Sequence, residues 1–244
     1  MKLFANQVSP DIAQALWDQR EAFLSGTRPR SQQLTATVLF TDLKGFSSTS
    51  EGMGPGELMD WLNEYMEVMA HAVMDHKGVV EKYIGDAVMA VFGVPIPRTT
   101  PGQIAQDARN AVRCALAMSQ HMRDLNVRWS ERNLPVCSMR IGIHTGTLVA
   151  GSLGSTERQE YTVIGDSVNI ASRLESFEKD ATDPNLHDDN CRILISEATQ
   201  LYLGDEFALV PVGAINLKGK SEKVSVYRVL EKKPALADAA IPVG

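Results

Sequence analysis

The sequence predicts an α+β domain, one mixed and mainly antiparallel sheet with helices packed on it. Two long stretches, residues 55–77 and 104–129, repeat apolar residues at helical spacing. Short β-branched runs lie before, between and after them, several close enough in the chain to return antiparallel. The 244 residues suffice for one large domain with a buried core, and 44% hydrophobic with 22% charged residues excludes bulk disorder and fibrous repeats.

Ser9, Pro10 and Asp11 look like a helix start. The amphipathic segment they open runs to Ser25 and Gly26, and a linker containing Pro and Arg follows over 27–33, so residues 1–30 are expected to be an N-terminal connector. The run LTATVLF at 34–40 reads as a strand and ends abruptly in TDLKGFSS. The helix at 55–77 carries Leu58, Trp61, Leu62, Tyr65, Met66, Met69 and Val73 on its apolar side, a core face, and Gly78 stops it. Residues 79–94 read as two strands turning at 83–86, which displays Asp86 at a hairpin tip.

The helix at 104–129 buries Ala105, Ala108, Val112, Ala115, Leu116, Met118 and Met122. Strands return at 137–144 and 147–151, with His144 packed in the sheet. A polar turn at 156–160 leads to a strand at 161–164 and a short helix over 167–176, capped by Asp166 or Ser167. From Arg192, strand and helix signals alternate up to Leu230. The domain is therefore expected to span 31–232, and the Ala- and Pro-rich tail at 233–244 to be disordered. The match of Ile84-Gly85-Asp86-Ala87-Val88 with Ile164-Gly165-Asp166-Ser167-Val168 has no flanking similarity and is too short for a repeat.

Composition narrows function. The most apolar stretch, 87–97, holds two prolines and a glycine and falls short of the roughly 20 residues a spanning helix needs. Lys2 is followed by no apolar run, so no signal peptide is expected. Lysine plus arginine number 24 against 30 acids, and the net charge of −6 disfavours a nucleic-acid surface, so an anionic substrate must be met locally. Cys114, Cys137 and Cys191 are odd in number and far apart, which fits a reducing, cytoplasmic location and neither disulfides nor a thiolate metal site. The five histidines lack ligand spacing, and the acidic stretch at 180–189 lacks that of a calcium loop.

The chemistry concentrates elsewhere. Asp42 closes an apolar strand and is followed by Lys44, Gly45 and Phe46; such an acid, with a glycine that lets backbone amides approach a ligand, suits a metal beside a phosphate cradle. Asp86 sits at a turn among apolar neighbours, where an unpaired carboxylate is costly. If their strands pair, the two acids form an all-oxygen site suited to Mg²⁺ or Mn²⁺. Asn169 and Arg173 share a helical face, and small or apolar neighbours predict a closely packed helix whose arginine needs a partner. Strand alternation places Lys82 on the face opposite Glu81.

The strings FTDLKGFSS, EKYIGDAVMAVFG, MRIGIHTG, YTVIGDSVNIASRLE and LKGK, in this order over most of the chain, resemble the catalytic domain of the class III nucleotidyl cyclases. The resemblance implies the ferredoxin-like cyclase homology fold, a head-to-tail homodimer with shared sites, and conversion of a purine nucleoside triphosphate to its 3′,5′-cyclic monophosphate and pyrophosphate with two divalent metals. It assigns metal binding to Asp42, Asp86 and the Leu43 carbonyl, phosphate binding to the amides near Gly45 and Phe46, and pyrophosphate binding to Arg140 and Lys218. Asn169 matches the residue that orients the ribose, and Arg173 the one that stabilises charge at the α-phosphate, both contributed by the opposite subunit.

Lys82 matches the lysine that reads adenine, where guanylyl enzymes generally carry glutamate, so the resemblance implies ATP as substrate and GTP as the alternative. Thr162 stands where many adenylyl cyclases carry aspartate, and its hydroxyl can either accept or donate. Threonine here is typical of the subclass with bicarbonate-responsive adenylyl cyclases, which implies bicarbonate regulation. A non-catalytic nucleotide-binding module is the competing reading; such relatives usually lose a metal acid or the arginine, and none is missing here. The N-terminal connector is expected to join an upstream sensor domain.

Overall fold

A computed structural model of the chain describes residues 24–25, 28–29, 31–155, 159–177, 190–216 and 223–232. Two short strands, β1 (Leu24–Ser25) and β2 (Arg28–Pro29), pair with each other. The main sheet contains β3 (Gln32–Leu43), β4 (Val79–Ile84), β5 (Ala87–Phe92), β6 (Met139–Gly154), β7 (Gln159–Ile164), β8 (Cys191–Ser196), β9 (Phe207–Asn216) and β10 (Lys223–Lys232). Its order is β4-β5-β3-β6-β8-β10-β9, with β7 attached to β6. The β6–β8 pair is parallel and the other pairs are antiparallel. The helices are α1 (Phe46–Glu51), α2 (Pro55–Asp75), α3 (Pro101–Glu131), α4 (Asp166–Glu175) and α5 (Glu197–Gln200). The α+β class is as the sequence predicts.

Strand alternation splits the core into layers. On β3, Leu39 and Leu43 join the layer that α2 and α3 cover, which holds Trp61, Tyr65, Met69 and Trp129. Leu34, Ala36, Val38 and Phe40 face the other way, in a layer with Val79 of β4 and Val163 of β7. Ile170 and Leu174 of α4 pack against β8, β9 and β10. Trp61 and Trp129, both fully buried, meet at 4.7 Å between ring centroids with their planes tilted by 35°, an aromatic contact that adds to plain area burial. Asp42 and Arg140 fall on the face opposite α2 and α3, because each neighbours residues of that apolar layer.

Several boundaries differ from expectation. Leu24 and Ser25 form a strand instead of a helix end, and Gln32 and Gln33, expected in the linker, already pair with Ala150 and Val149. The strand pair expected at 137–144 and 147–151 is one continuous strand, β6, because β3 offers an unbroken partner straight through Thr145 and Gly146. Helix α3 starts earlier than its apolar periodicity, at a capping box in which Thr100 and Gln103 satisfy each other's backbone N–H groups. Neither Asp166 nor Ser167 caps α4. Gly165 precedes the helix without a side-chain cap, and the Ser167 hydroxyl instead donates to the Thr147 carbonyl, tying α4 to β6. His144 is buried as expected, its Nδ1 2.8 Å from Ser196 Oγ. Among the described residues no helix is long and apolar enough to cross a membrane. The helix start at Ser9, the acidic stretch at 180–189 and the tail at 233–244 lie outside the described residues.

Candidate active site

Antiparallel pairing of β3 with β5 brings the end of β3 beside the β4–β5 turn, so Asp42 and Asp86 meet as their strand-end positions predict. The Leu43 amide donates to Asp86 Oδ2 at 3.0 Å, fastening the turn to the strand end. Burial pushes the Asp86 carboxyl up, the Leu43 N–H pulls it back, and the charge of Asp42 pushes it up again. Thr41, one residue before Asp42, bonds the Tyr65 hydroxyl at 2.9 Å and accepts from the Val88 amide at 3.3 Å, bracing β3, which carries Asp42, against β5, which follows Asp86. Gly45, with φ of 78° in the left-handed region that glycine tolerates, turns the chain into α1, where Phe46 stacks on Trp61.

Arg140 stands opposite Asp42 in the β3–β6 register and donates from Nη2 to Asp42 Oδ2 at 2.6 Å. Its Nε lies 3.2 Å from Glu175 Oε1 at the end of α4. Burial lifts the Glu175 carboxyl to about 7, Asp42 adds to the rise, and Arg140 and Arg192 oppose it. Helix α4 sits this close because β6 carries Gly142 beneath it: a Cβ there would fall 2.2 Å from the Glu175 nitrogen and 2.3 Å from the Ala171 oxygen.

A second cluster forms away from the acids. Lys82 Nζ donates to Thr162 Oγ1 at 3.3 Å, joining the two residues expected to read a base. Contrary to the alternation rule, Glu81 lies on the same side: Lys82 Nζ is 3.2 Å from Glu81 Oε1, and the Thr162 hydroxyl donates to that oxygen at 2.5 Å. The cause is a bulge. Val80 pairs with Ala90 and Lys82 with Met89, which leaves Glu81 as the extra residue in β4 and breaks the alternation.

Asn169 is exposed on α4 and Arg173 half-buried, one turn apart. Among the described residues neither side chain makes a hydrogen bond or ion pair, so the partner expected for Arg173 is not supplied by this part of its own chain. Lys218 lies outside the described residues. Glu81, Glu175 and the Thr41–Tyr65 brace escape a reading of the sequence; the Glu81-Lys82 adjacency is the one local trace of them.

The acids offer oxygen donors alone, and among the described residues no group of three His, Cys, Asp or Glu side chains is placed to hold a metal. Two repelling carboxylates with a neighbouring main-chain carbonyl suit a hard divalent cation that keeps water or phosphate as its other ligands. The donor set therefore fits magnesium or manganese.

A strand-end acid pair on an α+β sheet, with a separate polar cluster of Lys82, Thr162 and Glu81 and an Asn-Arg pair on one face of α4, defines a nucleotide-handling catalytic domain of the cyclase kind. The chain belongs to the adenylate and guanylate cyclase catalytic domain family, whose pattern matches residues 29–231. It is 36% identical over 194 residues to adenylate cyclase 1 of Rhizobium meliloti (strain 1021), a match covering 80% of this chain and 27% of that relative's length. The solved structure of the adenylyl cyclase CyaB from P. aeruginosa superposes with a TM-score of 0.75 at 33% identity, covering 85% of this chain and 100% of that one. The guanylyl cyclase Cya2 superposes with a TM-score of 0.70 at 31% identity, covering 83% of this chain and 94% of that one.

Proposed function

We propose that this domain is an adenylyl cyclase that converts ATP to 3′,5′-cyclic AMP and pyrophosphate, at sites shared by two copies of the chain. The observation that carries the reading is the convergence of Asp42 with Asp86, whose carboxyl is held by the Leu43 amide and pushed up by burial and by the Asp42 charge, a site that calls for a cation. Asp42, Asp86 and the Leu43 carbonyl would hold two divalent ions, which when bound supply acidification of the ribose 3′-hydroxyl and charge neutralisation on the triphosphate.

The chain's own groups do the rest. Main-chain amides at Gly45 and Phe46 receive phosphate oxygens, and Arg140, already between two acids, turns a guanidinium N–H toward the departing pyrophosphate, with Lys218 as its companion. Asn169 orients the ribose and Arg173 offsets charge growing on the α-phosphate. Their lack of in-chain partners among the described residues supports delivery to the neighbouring copy. A closed twofold pair then forms two equivalent sites, since each chain carries both halves. Lys82 and Thr162 read the base, and Lys82 supports adenine.

The likeness to Cya2 favours GTP as a second reading. Product assays with ATP and GTP in Mg²⁺ and in Mn²⁺, repeated on Asp86→Ala, separate the possibilities. Cyclic AMP formation that exceeds cyclic GTP product and disappears in D86A is expected; preference for GTP makes the domain a guanylyl cyclase. Product from neither nucleotide makes it a binding module.

A further inference from the structure

We propose that Glu81 is the positioning residue that makes this site select adenine over guanine, acting through the Thr162 hydroxyl. The inference rests on the adenine reading above and deepens it. A threonine hydroxyl carries one hydrogen and two lone pairs, so alone it tells an amino group from a carbonyl poorly. Here its hydrogen is committed. Glu81 Oε1, an acceptor, lies 2.5 Å from Thr162 Oγ1 and takes the hydroxyl proton in a hydrogen bond. The Lys82 ammonium has donors only, and its contact at 3.3 Å occupies one lone pair of the same oxygen. What Thr162 has left is a single lone pair, and it can only accept.

Adenine carries an amino donor at position 6, where guanine carries a carbonyl acceptor. A hydroxyl held in this state accepts from the first and faces the second with lone pair against lone pair. Of its three N–H groups, Lys82 gives one to Thr162 and one to Glu81 and keeps the third for a ring nitrogen, and its 3.2 Å pairing with Glu81 anchors the flexible side chain.

Two further observations set Glu81 apart from an ordinary strand residue. It is the extra residue of the β4 bulge, without which it would point away from Lys82. Its side chain is 6% exposed, and its second oxygen, Oε2, is buried with no hydrogen-bond partner. Folding alone does not favour a buried carboxylate with an unmet oxygen, and natural chains accept such costs at functional sites.

The test measures binding of 3′-deoxy-ATP and 3′-deoxy-GTP, which lack the attacking hydroxyl, to the full chain with Mn²⁺. The proteins compared are wild type, Glu81→Gln, Glu81→Ala, Thr162→Val and the Ala/Val double variant. Wild type is expected to prefer the adenine nucleotide. E81Q retains the preference, because its amide oxygen still accepts, whereas E81A loses about tenfold of it, the worth of one hydrogen bond. In the T162V background E81A changes the ratio no further, a non-additivity that a merely structural glutamate would not produce. Should E81A not fold, Glu81→Leu fills the volume without an acceptor and carries the same expectation. An unchanged ratio in E81A, an equal loss for both nucleotides, or additive effects of the two substitutions overturns the proposal. If wild type prefers the guanine nucleotide or binds neither, the adenine reading itself falls; adenine preference in wild type that survives E81A removes only the role of Glu81.

Discussion

Arg140 stands between two acids from different layers, 2.6 Å from Asp42 of the sheet and 3.2 Å from Glu175 of the helix that packs on it. The cation thereby couples the placement of an expected metal ligand to the docking of α4, which carries Asn169 and Arg173. Removing it takes away one of the two arginine charges, Arg140 and Arg192, that offset Glu175 where it is buried beside Asp42. Arg140→Ala is expected to cost about 3 kcal/mol of stability, most of it recovered in the Arg140→Ala/Glu175→Gln double variant, as read by urea unfolding. Equal instability of the single and double variants would show that the arginine acts by packing alone.

The Glu175 carboxyl rises from 4.5 to about 7 on folding. A raised acid binds its proton more tightly in the folded state, so its contribution is complete below pH 4.5 and is lost as the pH climbs through 7. The shift is worth at most about 3 kcal/mol. Glu175→Gln is therefore expected to gain stability over wild type progressively across that window and to match it at lower pH. Unfolding free energies measured from pH 4 to pH 8 check this; a constant gap between the two proteins contradicts it.

Thr41 braces the acid platform through Tyr65 and the Val88 amide, with its own residue fully buried. Thr41→Val keeps the shape but leaves the amide and the phenol short of a partner. A loss of about 1–3 kcal/mol is expected. Because Asp42 is the next residue and Val88 follows Asp86 by two, the turnover number should also fall severalfold while the Michaelis constant moves less.

Gly142 admits α4 against β6, and Gly142→Ala drives a methyl group into helix backbone at Ala171 and Glu175. Backbone atoms cannot swing aside as a side-chain end can. The expected cost is about 2–4 kcal/mol in thermal or urea unfolding, with cyclase turnover lost alongside, since α4 carries Asn169 and Arg173.

The acid pair was legible because its signals are local: an apolar run that stops at Asp42 before a glycine, and a Gly-Asp turn between two β-branched runs at Asp86. Amphipathic periodicity likewise exposed α2 and α3, with Trp61, Tyr65 and Met118 on their buried sides. What could not be read depends on pairing between distant segments. Alternation puts Glu81 opposite Lys82, and only the β4–β5 register, which inserts Glu81 as a bulge, overrides it. Thr145 and Gly146 read as a break, yet the unbroken edge of β3 carries β6 straight through them. Glu175 reads as an ordinary helix end until the small Gly142 of a strand more than thirty residues earlier lets the helix down onto Arg140.

Asn169 and Arg173 face outward without partners among the described residues of their own chain, whereas Asp42 and Asp86 are bound into one sheet. If each site is built from the acids of one copy and the Asn-Arg pair of another, damage to the two halves is complementary. Asp42→Ala and Arg173→Ala, each assayed alone, are expected to lower cyclic nucleotide formation by about a hundredfold or more. Mixed in equal amounts and allowed to exchange subunits, half of the dimers combine the two chains, and each of these has one intact site and one doubly damaged site. Activity should then return to about a quarter of wild type. The control is the Asp42→Ala/Arg173→Ala chain mixed with an excess of either single variant, which rebuilds no intact site and should stay silent. Stable mixed dimers, verified by differential tags, that remain as inactive as the single variants would place all the catalytic groups of a site within one chain.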